Sequence, residues 1–265
     1  MKRYYRSHLI TMVALSAILV CPAMAGLINL GAPDDFILSG TAWDPGPNTA
    51  RLGGNPAPGG ATWSIMAAGL ADGENGDDHA GMTTLLTDLS NSVDEITVIN
   101  DTLNAWAAVS GFSNLGQVTD GDGGFGTSLV GDIRIGAVKF DGAFNVLAHA
   151  FGPGTFPSNF ATNYGGDTHF DNEESWTDGG DGIDFYTVAL HEFGHALGLG
   201  HSAVTGAVMH PSYSGVNRTL HADDISGIQA IYGVGIPEPS AMGLFAVVLV
   251  GLMRVRRTSP NRPNL

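Results

Sequence analysis

Five residues within one eleven-residue stretch carry the strongest chemistry in the chain: His191, Glu192, His195, Gly198 and His201, in the pattern H-E-x-x-H-x-x-G-x-x-H. Four positions advance a helix by slightly more than one turn, so His191 and His195 project from one face, one above the other. Two neutral imidazoles so placed suit a Zn²⁺ ion at about 2.0–2.1 Å. A third ligand must come from outside that helix. Gly198 can adopt a left-handed conformation that ends the helix and returns His201 to the metal. Three ligands leave one coordination position open for water, as a catalytic rather than a structural zinc requires. Glu192, beside the first ligand, can take a proton from that water and pass it to a leaving amine.

This constellation needs a helix over about 185–197, N-capped by Asp184 or Asp181 and ended by Gly198. Other elements follow from periodicity. Ile99, Leu103 and Trp106 recur at helical spacing and predict a helix over about 95–109, ending near Gly111. Residues 132–138 alternate in a strand-like way, Val146–Phe151 reads as a further strand, and Thr62–Met66 as a first one. A last helix runs from near Asp223 to Gly233. Residues 31–61, rich in Gly, Pro and Asn, read as loop, and 67–93 give no clear reading. Glycine- and aspartate-rich stretches at 72–78, 120–124 and 178–182 read as turns. Strands first and helices later indicate an α+β domain.

Charge excludes several functions. The formal net charge is −15, from 11 basic and 26 acidic residues. Seven of the bases sit at the two ends. Between residues 26 and 236 there are 25 acids against four bases, Arg51, Arg134, Lys139 and Arg218, a difference of −21. A nucleic-acid binder needs a basic face, and this body has none to offer. Docking of the body on anionic lipid is disfavoured for the same reason. The 38 glycines imply many loops, and the single cysteine, Cys21, rules out an internal disulfide.

The two ends read as addresses. Lys2, Arg3 and Arg6 precede an apolar run, Leu9 to Val20, and Ala23-Met24-Ala25 offers small residues before Gly26. That is the pattern of a secretory signal over 1–25, which a signal peptidase would remove, and the run is short of the roughly 20 residues a spanning helix needs. At the other end, Pro237-Glu238-Pro239-Ser240 leads into an uncharged stretch, Ala241–Met253, and then Arg254, Arg256 and Arg257. Residues 237–265 resemble the PEP-CTERM sorting signal of Gram-negative bacteria. The resemblance implies processing by an exosortase-type enzyme, only transient membrane contact through the tail, and delivery to the cell surface or extracellular matrix. A plain C-terminal anchor is the alternative.

The body, 26–236, resembles the metzincin clan and within it the matrixins, over roughly 94–233. The zinc motif, Val208-Met209-His210-Pro211 eight residues past its last histidine, and Asp223-Asp224-Ile225-Ser226-Gly227-Ile228-Gln229-Ala230-Ile231-Tyr232-Gly233 carry the likeness. It implies a metzincin-like α+β fold with a twisted, mostly parallel sheet, an active-site helix and a Met-turn at Met209. It also implies a secreted zinc endopeptidase acting on protein or peptide substrates, with Thr187, Pro211 and Tyr213 lining a substrate pocket. Upstream, Phe140-Asp141-Gly142, Leu147-Ala148-His149-Ala150-Phe151 and Gly166-Asp167-Thr168-His169-Phe170-Asp171-Asn172-Glu173-Glu174 match the family's metal-binding loops. By resemblance, Asp141, Asp171 and Glu174 would hold one structural Ca²⁺, and Asp132 and Asp167 would contribute to a second. His149 and His169 match two ligands of a structural zinc, but its other two ligands have no counterpart in Gly136-Ala137-Val138-Lys139-Phe140. Two histidines do not complete a tetrahedral site. With Cys21 expected to leave with the signal, the sequence offers no cysteine for the family's cysteine switch. A reading from another class is a calcium-dependent extracellular matrix adhesion module retaining a relic metal site; an intact Glu192 speaks for the enzyme.

Overall fold

The helix expected around Trp106 is α1, Glu95–Val109, with Ile99, Leu103 and Trp106 on its buried face. The Asp94 side chain caps it by accepting a hydrogen bond from the Thr97 amide at 3.1 Å. The computed structural model describes residues 36–45, 50–52, 55–70, 83–120, 131–154 and 165–235. All of these lie within one unit, 34–265. The export signal, the sorting tail and the acidic stretches at 72–78 and 121–124 lie outside the described residues.

A five-stranded sheet forms the other main layer. Its strands are β3 (Gly59–Ile65), β4 (Phe112–Gln117), β5 (Ile133–Val138), β6 (Ala148–Ala150) and β7 (Thr168–Asp171), in the spatial order β4-β3-β5-β7-β6. All neighbours pair parallel except β6, which runs antiparallel to β7 and forms an edge. The expected mostly parallel α+β sheet is therefore present. β5 departs from a half-buried strand, because all six of its residues are buried between β3 and β7. Arg134 is tolerated there by a two-pronged ion pair with Asp120, Nε to Oδ1 at 2.9 Å and Nη2 to Oδ2 at 2.8 Å.

The stretch read as loop over 31–61 contains a small antiparallel pair, β1 (Thr41–Trp43) and β2 (Ala50–Leu52). The Trp43 indole donates to the Ala196 carbonyl at 2.9 Å, which fastens this pair to the end of the active helix. Within the stretch 67–93, which periodicity left unread, the described residues on either side of 71–82 are fastened to each other and to β5. Thr83 Oγ1 donates to the Ala67 carbonyl at 2.6 Å, and the Thr84 amide donates to Ala137 of β5 at 2.8 Å. Leu86 then plugs into the core.

Two short strands, β8 (Trp176–Thr177) and β9 (Ile183–Asp184), lead into helix α2, Phe185–Ala196. The final helix, α3, spans Ala222–Tyr232. α1 and α2 pack on each other, and α2 also meets β6 and β7, so the helix bearing the histidines lies against the sheet's edge. Among the described residues no helix is long and apolar enough to cross a membrane.

Candidate active site

α2 begins where Asp184 caps it, Oδ2 accepting from the Thr187 amide at 3.0 Å. It ends at Leu197, and Gly198 follows with φ of 107°. A Cβ at Gly198 would come within 2.5 Å of the Thr41 carbonyl oxygen, so both the conformation and the space demand glycine. The chain then turns back along residues 37–39. The Ser39 amide donates to Gly198 and the Gly200 amide donates to Ile37, at 2.8 and 2.7 Å. This return delivers His201.

The three imidazoles converge, with ring centroids 4.7 Å apart for His191 and His195, 4.8 Å for His195 and His201, and 5.4 Å for His191 and His201. One ligand atom from each lies within 4.8 Å of the other two. His191 Nδ1 meets the Val208 carbonyl, and His195 Nδ1 meets the Leu199 carbonyl, both at 2.7 Å. A carbonyl only accepts, so each Nδ1 carries the proton and each Nε2 keeps its lone pair for a metal. Burial, helped by the neighbouring imidazoles, pushes His191 down to about 3 and His195 down to about 4, and burial lowers His201 too. The rings are thus neutral, the form in which they bind a metal. This donor set fits zinc.

Glu192 is 5% exposed and lines the same cavity. Its Oε2 is buried without a hydrogen-bond partner, and burial pushes its carboxyl up to about 8. Such a group is suited to exchange protons near neutrality.

Met209 is buried beneath this face. A Cβ at Gly194 would sit 2.2 Å from Met209 Sδ, so the glycine between Glu192 and His195 lets the methionine reach α2. The turn carrying Met209 hangs from Asp224. Its Oδ2 accepts from the Val208 amide at 2.8 Å and the His221 amide at 2.7 Å, and its Oδ1 accepts from the Met209 amide at 3.0 Å. Asp224 is at once the third residue of α3 and part of its capping box, formed with His221. Sequence reading quoted Asp224 only as part of a matching helix. The acid three residues after His221 was the available signal, and histidine is not among the favoured N-caps.

The cavity measures about 840 Å³ and runs from residues 144–150, past the histidines, to Pro211, Tyr213 and Asn217. Thr187, Pro211 and Tyr213 all line it. Thr187 Oγ1 donates to Asp184 Oδ2 at 2.6 Å and accepts from the Asn217 amide at 2.9 Å. The Tyr213 hydroxyl accepts from the Asp184 amide at 3.0 Å. Arg218, a residue sequence reading passed over, reaches the same carboxylate, with Nε 3.0 Å from Asp184 Oδ2 and Nη2 paired to Oδ1 and to Asp178. Burial alone would raise the Asp184 carboxyl, but Arg218 and Thr187 outweigh it and hold it below its usual value. The loop on the far side of the pocket is thereby tied to the start of the active helix.

The other expected ligands occupy the acidic loops. Asp171 Oδ1 accepts from the Phe140 and Glu173 amides at 3.3 and 2.9 Å, and Glu174 Oε1 accepts from the Phe144 amide at 2.5 Å. Asp141 Oδ1 accepts from Val146 at 3.3 Å. Asp171 Oδ2 and Glu174 Oε2 are buried with no hydrogen-bond partner. Burial raises both carboxyls, the charges of Glu173 and Asp141 raise both further, and the charge of Asp171 adds to the rise at Glu174. Among the described residues, however, only His191, His195 and His201 bring three candidate ligand atoms within 4.8 Å of one another. Asp132 turns Oδ2 to the Thr62 amide and hydroxyl at 2.8 and 2.7 Å, and Asp167 is buried beside β7. His149 and His169 face each other across the β6–β7 ladder, Nε2 to Nδ1 at 3.1 Å.

Comparison with known proteins matches residues 83–233 to the family model described as Matrixin. Human matrix metalloproteinase-20 is 41% identical over 145 residues, 54% of this chain and 28% of its own length. Rat matrilysin is 52% identical over 98 residues, covering 36% of this chain and 34% of its own. Human matrilysin is 48% identical over 114 residues, 42% and 39% of the two chains. The chain therefore spans under two fifths of the length of these relatives.

Proposed function

Because the chain belongs to the matrixin family, we propose that it is a zinc-dependent endopeptidase. The observation that carries this reading is the three imidazoles with both helix Nδ1 atoms tied to backbone carbonyls, sharing a cavity with the buried Glu192 carboxylate. A zinc ion held by His191, His195 and His201 would polarise the scissile carbonyl and activate water. An extended peptide lies along the open edge of β6, pairing main chain to main chain. Glu192 takes the proton from the attacking water and delivers it to the leaving nitrogen. Thr187, Pro211 and Tyr213 receive the side chain that follows the scissile bond.

Calcium completes the reading. Asp141, Asp171 and Glu174 bind one ion, supported by the two buried oxygens that lack partners, and Asp132 and Asp167 contribute to a second. His149 and His169 are a structural pair rather than half of a zinc site. Residues 1–25 direct export, and 237–265 act as a PEP-CTERM-type sorting tail that an exosortase-type enzyme processes. The protein thus works at the surface or in the extracellular matrix of a Gram-negative bacterium.

The test is direct. Zinc is measured in the purified protein, and casein and a peptide library are assayed with wild type and Glu192→Ala. One equivalent of zinc and cleavage lost only in the variant are expected. Zinc binding with no cleavage of any substrate by wild type overturns the enzyme in favour of a matrix-adhesion module.

A further inference from the structure

Phe144 stands out on three counts. Among the described residues it is the only non-glycine with positive φ, at 76°, in the left-handed region a side chain with a Cβ avoids. Its ring is 73% exposed, so it costs free energy in hydration as well as in backbone strain. It also lines the cavity that holds His191, His195, His201 and Glu192. A strained residue at a cleft is a reason to look for function.

The surroundings hold the backbone beneath the ring in place. The Phe144 amide is tied to Glu174 Oε1 at 2.5 Å, and the Val146 amide to Asp141 Oδ1 at 3.3 Å. These bonds pin the turn on both sides of Asn145. The turn runs directly into β6, whose outer edge pairs with no other strand among the described residues. Val146, 48% exposed, extends the apolar rim towards that edge. A peptide paired along β6 would carry its side chains past this rim.

We propose that Phe144 is a specificity-determining residue, forming with Val146 a raised apolar rim that contacts an aromatic or large aliphatic side chain of the substrate several residues from the scissile bond. The inference rests on the endopeptidase reading and adds a second point of side-chain recognition to the pocket at Thr187. Because the backbone beneath it is already fixed, the ring meets the substrate without the cost of ordering the loop. Contact between two apolar side chains, one of them aromatic, is worth about tenfold in affinity.

The experiment compares wild type, Phe144→Gly and Phe144→Leu in the full chain. Glycine tolerates the positive φ, so that variant relieves strain and is expected to unfold no earlier than wild type in a melt. A position-resolved peptide library then reads cleavage preference. In wild type, one position remote from the scissile bond favours aromatic and large aliphatic side chains over glycine by about tenfold, mainly through KM. In Phe144→Gly that ratio falls towards one, and Phe144→Leu restores part of it. A preference profile identical in all three proteins overturns the proposal while leaving the peptidase reading intact. Binding of the same peptides to Glu192→Ala, with and without Phe144→Gly, separates the two readings if wild type cleaves nothing. Binding that depends on Phe144 then supports the rim, and binding indifferent to it overturns it. A concentration-dependent dimer that Phe144→Gly abolishes also overturns it, by assigning the ring to a contact between copies.

Discussion

Around the methionine turn, both oxygens of Asp224 are taken up by three backbone amides, and the two helix histidines each have one nitrogen engaged by a carbonyl. In the acidic loop across the cleft, Asp171 and Glu174 each give one oxygen to the backbone and bury the other with no partner. The first region is complete within the chain and holds its donors ready for an ion. The second leaves two buried oxygens unmatched, which is costly for a charged carboxylate, and on the proposed reading calcium completes it. Preorganisation on one side and the proposed ion-dependent order on the other would suit different tasks. The proposed chemistry needs fixed distances on one side, and the other side lines the rim of the cleft.

The comparison can be tested, beginning with the largest effect. Glu192→Ala should lower kcat/KM by about 10²–10⁴ with zinc content unchanged, since the residue moves protons and is not a ligand. Peptide hydrolysis and metal analysis on the same sample check this, and loss of zinc would mean that the carboxylate helps hold the site together. Asp224→Ala should come next. Three amides lose their acceptor, and about 3 kcal/mol of destabilisation is expected in urea unfolding, with weaker zinc retention. A change under about 0.5 kcal/mol would show that the methionine turn does not depend on α3.

Calcium at a hundred times its dissociation constant should stabilise the fold by about 2.7 kcal/mol, visible as a higher melting temperature. pH provides the sign. Without calcium, burial first, and then neighbouring charge, hold the Asp171 and Glu174 carboxyls above their ordinary 3.8 and 4.5. The folded state then binds protons more tightly than the unfolded one. This contribution to stability therefore falls as pH rises from those ordinary values through the raised ones. With calcium the charged forms are favoured and the slope reverses. The smallest effect is Asp171→Asn, neutral or slightly stabilising in chelator and destabilising in calcium. The same response in both conditions would dissolve the contrast between the two regions.

The helices were readable from sequence because their signals are local. The apolar spacing of α1, Asp184 as cap and Gly198 as terminator all act within a few residues. β4 was missed because Phe112-Ser113-Asn114-Leu115-Gly116-Gln117 has little intrinsic strand preference; its parallel pairing with β3 makes it a strand. β1 and β2 were hidden in a stretch of turn formers for a similar reason. At the site, the motif histidines were legible because one helix and one turn place them. The tie of Arg218 to Asp184 spans 34 positions, and that of Asp224 to Val208 spans 16. Contacts of that separation have no periodic signature.

Asp224 gives the molecule an order of completion. A ribosome delivers the histidines of α2 first and the methionine turn next, but the carboxylate that fastens that turn follows 15 residues after Met209. A nascent chain stopped before α3 would carry all three zinc ligands and an unsecured floor beneath them. Hydrogen exchange should reveal the same dependence in the finished protein. The amides of Val208, Met209 and His221 should open together, on the timescale on which α3 leaves the body.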